Sequence, residues 1–75
     1  MYLEVTAKFD STGRIVPISF ICAGRKINID RVSDARPAAS LKHGGQGMRY
    51  TCRTGRKSYY LFYDEGKWFL EALPS

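Results

Sequence analysis

Residues 48–73, MRYTCRTGRKSYYLFYDEGKWFLEAL, decide the fold, and the rest of the chain builds outward from them. They hold Tyr50, Tyr59, Tyr60 and Tyr63 of the five tyrosines, Phe62 and Phe69 of the four phenylalanines, and Trp68, the one tryptophan. Gly55-Arg56 suits a two-residue hairpin turn with glycine first, and Glu65-Gly66 suits a second tight turn. With those turns fixed, Cys52 faces Tyr59, Tyr50 faces Leu61 and Met48 faces Tyr63. Across the second turn, Tyr63 faces Trp68, Leu61 faces Leu70 and Tyr59 faces Ala72. Successive side chains of a strand point to opposite faces, so these residues share the apolar face of a three-stranded antiparallel sheet. It is a core face, and each cross-strand aromatic pair on it adds about 0.2–1 kcal/mol.

The amino-terminal half repeats the pattern. Leu3, Val5, Ala7 and Phe9 alternate with Tyr2, Glu4, Thr6 and Lys8, the mark of a half-buried strand. Asp10-Ser11-Thr12-Gly13 supplies turn chemistry, and Arg14 to Cys22 is β-branched and aromatic. A four-residue loop at 10–13 predicts Phe9 opposite Arg14, Ala7 opposite Val16, Val5 opposite Ile18 and Leu3 opposite Phe20. Pro17 then falls on the outward phase, which predicts a strand near a sheet edge because proline has no N–H to donate. A turn at Ala23-Gly24 brings Phe20 opposite Ile27 and Ile18 opposite Ile29, and the pattern loosens at Arg31 and Val32. Residues 33–47 carry no strand signal. Pro37 to Lys42 reads as a helical turn or two or as a loop, with Gly44-Gly45-Gln46-Gly47 as a flexible exit.

The expected architecture is therefore one all-β domain over residues 1–75, with about six antiparallel strands in a meander. They form a small SH3-like barrel or two packed three-stranded sheets, with one longer loop or short helix at 33–47. At 75 residues the core is small. A chain of this size buries only roughly 60% of its unfolded surface, so a staple or a partner is expected. Two cysteines, Cys22 and Cys52, do not make a disulfide framework; both fall on inward phases as small buried thiols. The first residues show no apolar secretory run and no segment nears the ~20 apolar residues of a membrane span, so a cytoplasmic protein with no membrane partner is expected.

The outward face of the carboxy-terminal sheet holds the candidates for function. It mixes Arg49, Thr51, Arg53, Ser58 and Glu71 with Tyr60, Phe62, Phe69 and Leu73. Such a face is ordinarily polar. One reading is a nucleic-acid platform: Arg49, Arg53, Arg56 and Lys57 meet phosphates while Tyr60 and Phe62 stack on bases. The net charge of +5, from twelve Lys and Arg against seven Asp and Glu, is compatible with a polyanionic partner but also serves solubility. A second reading is a homodimer or partner-protein contact through Phe62, Phe69 and Leu73, which would enlarge the core. A third is intramolecular packing, with arginine over the aromatic rings.

Nothing in the sequence assembles a catalytic or metal site. His43 is the one histidine, beside Ser40 and the glycines, with nothing to fix a geometry for acid–base work. The glycine run lacks the Lys-Ser/Thr of a phosphate loop, and the cysteines lack metal-ligand spacing. Asp10, Asp30, Asp34, Asp64, Glu65 and Glu71 sit in turns or on outward phases. The chain reads as a non-enzymatic binding module with no cofactor.

Two segments resemble a family of small bacterial proteins of unknown function. One is Pro17-Ile18-Ser19-Phe20 with Gly24-Arg25 and Ile29-Asp30-Arg31-Val32; the other is Tyr59 to Asp64 running into Lys67-Trp68-Phe69-Leu70. The resemblance covers about half the chain and implies a compact all-β domain, with no activity or site residues to carry over.

Overall fold

Glycine and turn chemistry place the hairpins at residues 10–14, 23–24, 55–56 and 65–66. The computed structural model describes residues 2–39 and 46–71. Seven strands form one antiparallel sheet: β1 Tyr2–Phe9, β2 Ile15–Cys22, β3 Arg25–Asn28, β4 Arg31–Ala39, β5 Gln46–Thr54, β6 Lys57–Asp64 and β7 Lys67–Glu71. Their order is β3-β2-β1-β7-β6-β5-β4. The expected all-β meander is what forms, curled into a half-barrel. It has seven strands rather than six. Its two halves join edge to edge, through Tyr2 opposite Phe69 and Leu3 opposite Trp68, instead of stacking as separate sheets.

The carboxy-terminal hairpins take the register read from the sequence. Met48 pairs with Tyr63, Tyr50 with Leu61 and Cys52 with Tyr59; Tyr63 pairs with Trp68 and Leu61 with Leu70. Ala72, expected opposite Tyr59, lies outside the described residues. Gly55 takes a φ of 63° at the first turn position, while Glu65 and Gly66 take 49° and 81° at the second turn. Two successive positive φ values match the right-handed twist of the flanking strands. Glu65 carries a side chain in this left-handed region, where L-residues are disfavoured. Inward, Leu3, Phe20, Tyr50, Cys52, Leu61 and Trp68 form the buried core. Trp68 packs at 4.7 Å from the Tyr63 ring centroid and 5.4 Å from that of Tyr50, and Phe20 meets Tyr59 edge-on at 5.6 Å.

The first hairpin departs from expectation by one residue, then by another. Asp10 Oδ1 accepts from Thr12 N, Thr12 Oγ1 and Arg14 N, while Asp10 N donates to Arg14 O at 2.9 Å. These bonds hold the Asp10 carboxyl below its usual range, with the Thr12 hydroxyl the largest cause. They also pair Asp10 with Arg14, so the loop is three residues long and Phe9 faces Ile15, not Arg14. Ala7 consequently faces Pro17, which is buried rather than outward. Ile18 is an extra residue in β2, a bulge, after which Thr6 faces Ser19 and Val5 faces Phe20. The bulge returns Phe20 to the core and leaves Ile18 40% exposed. The next turn follows the reading: Phe20 pairs with Ile27, and Ile29 N donates to Ile18 O at 3.0 Å.

Residues 33–39 correct the expected loop or helix, because β4 runs to Ala39 and pairs with β5 along its length. Ser33 is extra in this strand, between Val32 opposite Cys52 and Asp34 opposite Thr51, which breaks the period of two. Residues 40–45, including Ser40, Leu41, His43, Gly44 and Gly45, lie outside the described residues. Gly47, read as part of a flexible exit, belongs to β5, and a β-carbon there would collide with the Tyr63 carbonyl oxygen. Gly47→Ala should therefore cost at least about 1 kcal/mol of stability by chemical denaturation, through overpacking against backbone. Glu65→Asn should instead gain roughly 0.5–1 kcal/mol, since asparagine tolerates the left-handed conformation of this turn.

Candidate nucleic-acid interface

The β4–β5 pairing sets arginines opposite one another on the outer face. Arg31 of β4 is the cross-strand partner of Arg53 of β5, and Arg36 is the partner of Arg49. Like charges placed directly opposite on a sheet are destabilising. Each pair meets this differently.

Arg36 and Arg49 are compensated. The Arg36 guanidinium grips Asp34 through Nε–Oδ2 at 2.7 Å and Nη2–Oδ1 at 3.2 Å. Hydrogen bonding to Asp34, more than its charge alone, raises the Arg36 pKa above the usual arginine value. Arg49 is held from three sides. Its Nη2 donates to Ala39 O at 3.0 Å, its Nε lies 3.8 Å from Glu71 Oε1, and its guanidinium carbon sits 5.1 Å from the Tyr60 ring centroid. Glu71 is fully buried, and Arg49 sets a positive group beside it. Removing one partner of a buried ion pair typically costs about 3–5 kcal/mol.

Arg31 and Arg53 are not compensated. Both are exposed, and among the described residues neither has a carboxylate within ion-pair distance. With Asp30 and Gly55 they line a concavity of about 370 Å³. The Asp30 carboxylate is turned to the backbone, its Oδ2 accepting from Gly55 N at 2.6 Å. Arg56 and Lys57, also exposed, continue the positive charge around the hairpin tip.

The aromatic part of the expected platform is corrected. Phe62 is 0% exposed and Phe69 9%, with ring centroids 6.4 Å apart. Phe62 therefore presents no ring to a base, and neither residue offers surface to a second copy. Leu73, the third residue of the expected association patch, lies outside the described residues. Tyr60 is partly buried, with the Arg49 guanidinium over its ring. Of the residues singled out from sequence, Arg53 lies on the outer face, Arg56 in the adjoining turn and Lys57 at the hairpin tip on the opposite phase, opposite Thr54, while Arg49 and Tyr60 pack with each other. Arg31 and Arg36 were missed because the bulge at Ser33 hides the alternation of β4. Once a strand is drawn through 31–39, the pairing with β5 follows.

Other chemistry is sparse. Among the described residues no group of three or more His, Cys, Asp or Glu is placed to hold a metal, and no helix is long and apolar enough to cross a membrane. His43 lies outside them. Cys22 and Cys52 are both free thiols. Burial pushes the Cys52 thiol up to about 12. Tyr50, also buried, has its phenol pushed above the usual value by desolvation, and it donates to Ile15 O at 2.7 Å. Compared with known proteins, the chain matches no family model, no curated protein and no solved structure.

The raised Cys52 pKa makes stability fall with pH above the ordinary thiol range. The unfolded thiol ionises near its ordinary ~8.5, while the folded one resists until about 12. Its contribution is complete below the lower value and is lost as pH rises toward the higher. Between those limits each pH unit should favour unfolding by about 1.4 kcal/mol. Denaturation midpoints across that window should fall more steeply for the wild type than for Cys52→Ala. Iodoacetamide should label Cys22 in the native protein and Cys52 only after unfolding.

Proposed function

We propose that this chain is a non-enzymatic binding module that takes the phosphate backbone of a nucleic acid on the outer face of β4–β6. The observation that carries the reading is the Arg31–Arg53 pair: two exposed guanidinium groups, in register, with no carboxylate among the described residues within ion-pair distance of either. Stability alone would not select this arrangement, since facing like charges cost stability. An anion bound between them converts the repulsion into two favourable contacts. Guanidinium groups suit this role because their planar forks meet phosphate oxygens in pairs.

Arg56 and Lys57 extend the track. The Arg36–Arg49 pair stands four residues further along β5, roughly 13 Å away at ~3.3 Å per residue. With Phe62 buried and Tyr60 covered by Arg49, base stacking contributes little. Recognition is of phosphate, and such contacts position a nucleic acid without reading its sequence. Arg31, Arg53, Arg56 and Lys57 together predict a log–log salt slope of about −3 on single strands and nearer −4 on duplex.

The test separates binding from folding. Fluorescence anisotropy with single- and double-stranded oligonucleotides should show affinity falling with salt at about that slope. Arg31→Glu sets a carboxylate opposite Arg53 and should stabilise the fold by about 0.2–1 kcal/mol. The same substitution should weaken oligonucleotide binding several-fold and flatten the salt slope by about 1–2. No salt-dependent binding, or unchanged binding in Arg31→Glu/Arg53→Glu, would sink the reading. Arg49 is the wrong residue for this test, because its loss also removes a positive group beside buried Glu71.

A further inference from the structure

The half-barrel is closed at one end and open at the other. At the closed end Ile29 and Asp30 carry the chain from β3 to β4, bonded to β2 through Ile18 O and to β5 through Arg53 O. At the open end a groove of about 610 Å³ separates the start of β2 from β4. Its walls are Ile15 of β2 and Val32, Ala35, Pro37, Met48 and Tyr50, the last five being inward positions of β4 and β5, whose outward positions carry the arginines. Ala35 and Pro37 remain exposed there, on the face that elsewhere forms the core.

Two kinds of occupant suit an open seam: an added strand, or a compact small molecule. The edges decide. β3 covers β2 only along Ser19–Cys22, so its first half is a bare edge. On that edge Pro17 has no N–H, and the Ile15 carbonyl is already taken by the Tyr50 hydroxyl reaching across the groove. β4 carries Pro37 on the opposite side. Proline on a bare edge is a device against strand addition. The seam is blocked to a ladder yet apolar and concave, and its volume lies in the range of small-molecule sites, about 300–1,000 Å³.

The rim supplies the polar end. Arg14 and Asp10 border the groove. Asp10 Oδ1 is engaged by three donors of its own turn, whereas Arg14 forms no ion pair among the described residues. The Tyr50 hydroxyl lies near this same charge, which offsets part of the burial effect on its phenol. We infer that the seam between β2 and β4 is a binding site for a small amphipathic carboxylate, its apolar body against Val32, Ala35, Pro37 and Met48 and its head on Arg14.

Sodium decanoate and decan-1-ol, each below its aggregation limit, test this on the intact chain by amide and methyl NMR shifts. Decanoate should move resonances of Val32, Ala35, Met48 and Tyr50, and should bind several-fold more tightly than decanol. Ala35→Phe fills the groove from an exposed position and should weaken both ligands roughly tenfold. Arg14→Gln should weaken decanoate by a similar factor and leave decanol unchanged. The native spectrum of each variant verifies its fold. The inference is overturned if millimolar decanoate shifts nothing, or if the shifts centre on Phe9, Ile18 and Ile21. It is equally overturned if Ala35→Phe binds as the wild type does, or if Arg14→Gln leaves the preference for decanoate intact.

Discussion

A two-residue crossing constrains everything else. β3 and β4 are the opposite edges of the sheet, yet only Ile29 and Asp30 lie between them. Laid flat at ~4.8 Å per strand, seven strands would hold these edges roughly 29 Å apart. The chain from Asn28 to Arg31 spans at most about 11 Å. The sheet must curl until its edges meet at that end, and the backbone bonds of Ile29 and Asp30 fasten it there. The aromatic interior follows from this closure. Phe20, from one half, reaches Tyr59, from the other, because the two halves face each other across the curl.

The same closure gives the two faces of β4 and β5 their different characters. Inward, Val32, Ala35 and Pro37 oppose Cys52, Tyr50 and Met48, passing from packed core to open groove as the seam widens. Outward, the same ladder brings four arginines into two facing pairs. The energies involved are unequal. Facing like charges cost a few tenths of a kcal/mol to about 1 on an exposed surface, a loss the aromatic core easily absorbs. Arg49 belongs to both accounts, lying on the basic face while answering the buried charge of Glu71.

Local signals were legible in the sequence, and offsets were not. The carboxy-terminal hairpins could be paired residue by residue because Gly55-Arg56 and Glu65-Gly66 are two-residue turns flanked by unbroken alternation. Alternation carries no record of a bulge, however. At Asp10 the side chain closes a shorter loop than residue count implies, and at Ile18 an extra residue resets the phase. The inward placement of Pro17 was invisible for that reason. Ser33 hid β4 in the same way, and with it Arg31 and Arg36. At the candidate interface, residue types picked out Arg53, Arg56 and Lys57, which the structure leaves exposed. The burial of Phe62 and Phe69 is a tertiary effect, and strand phase alone assigns both to an open face.

The strand order also divides the pairings into local and long-range ones. Five of the six strand pairings join neighbours in the chain across a short connection; the sixth, β1 with β7, joins segments from nearly opposite ends of the described chain. Hairpins form in microseconds, whereas closing a long loop costs entropy that grows with its length. The pairings inside β1–β3 and β4–β7 therefore need little loop closure, and the β1–β7 contact that sets Leu3 opposite Trp68 carries the largest closure entropy of the six. The costliest seam thus lies in the middle of the finished sheet rather than at either edge.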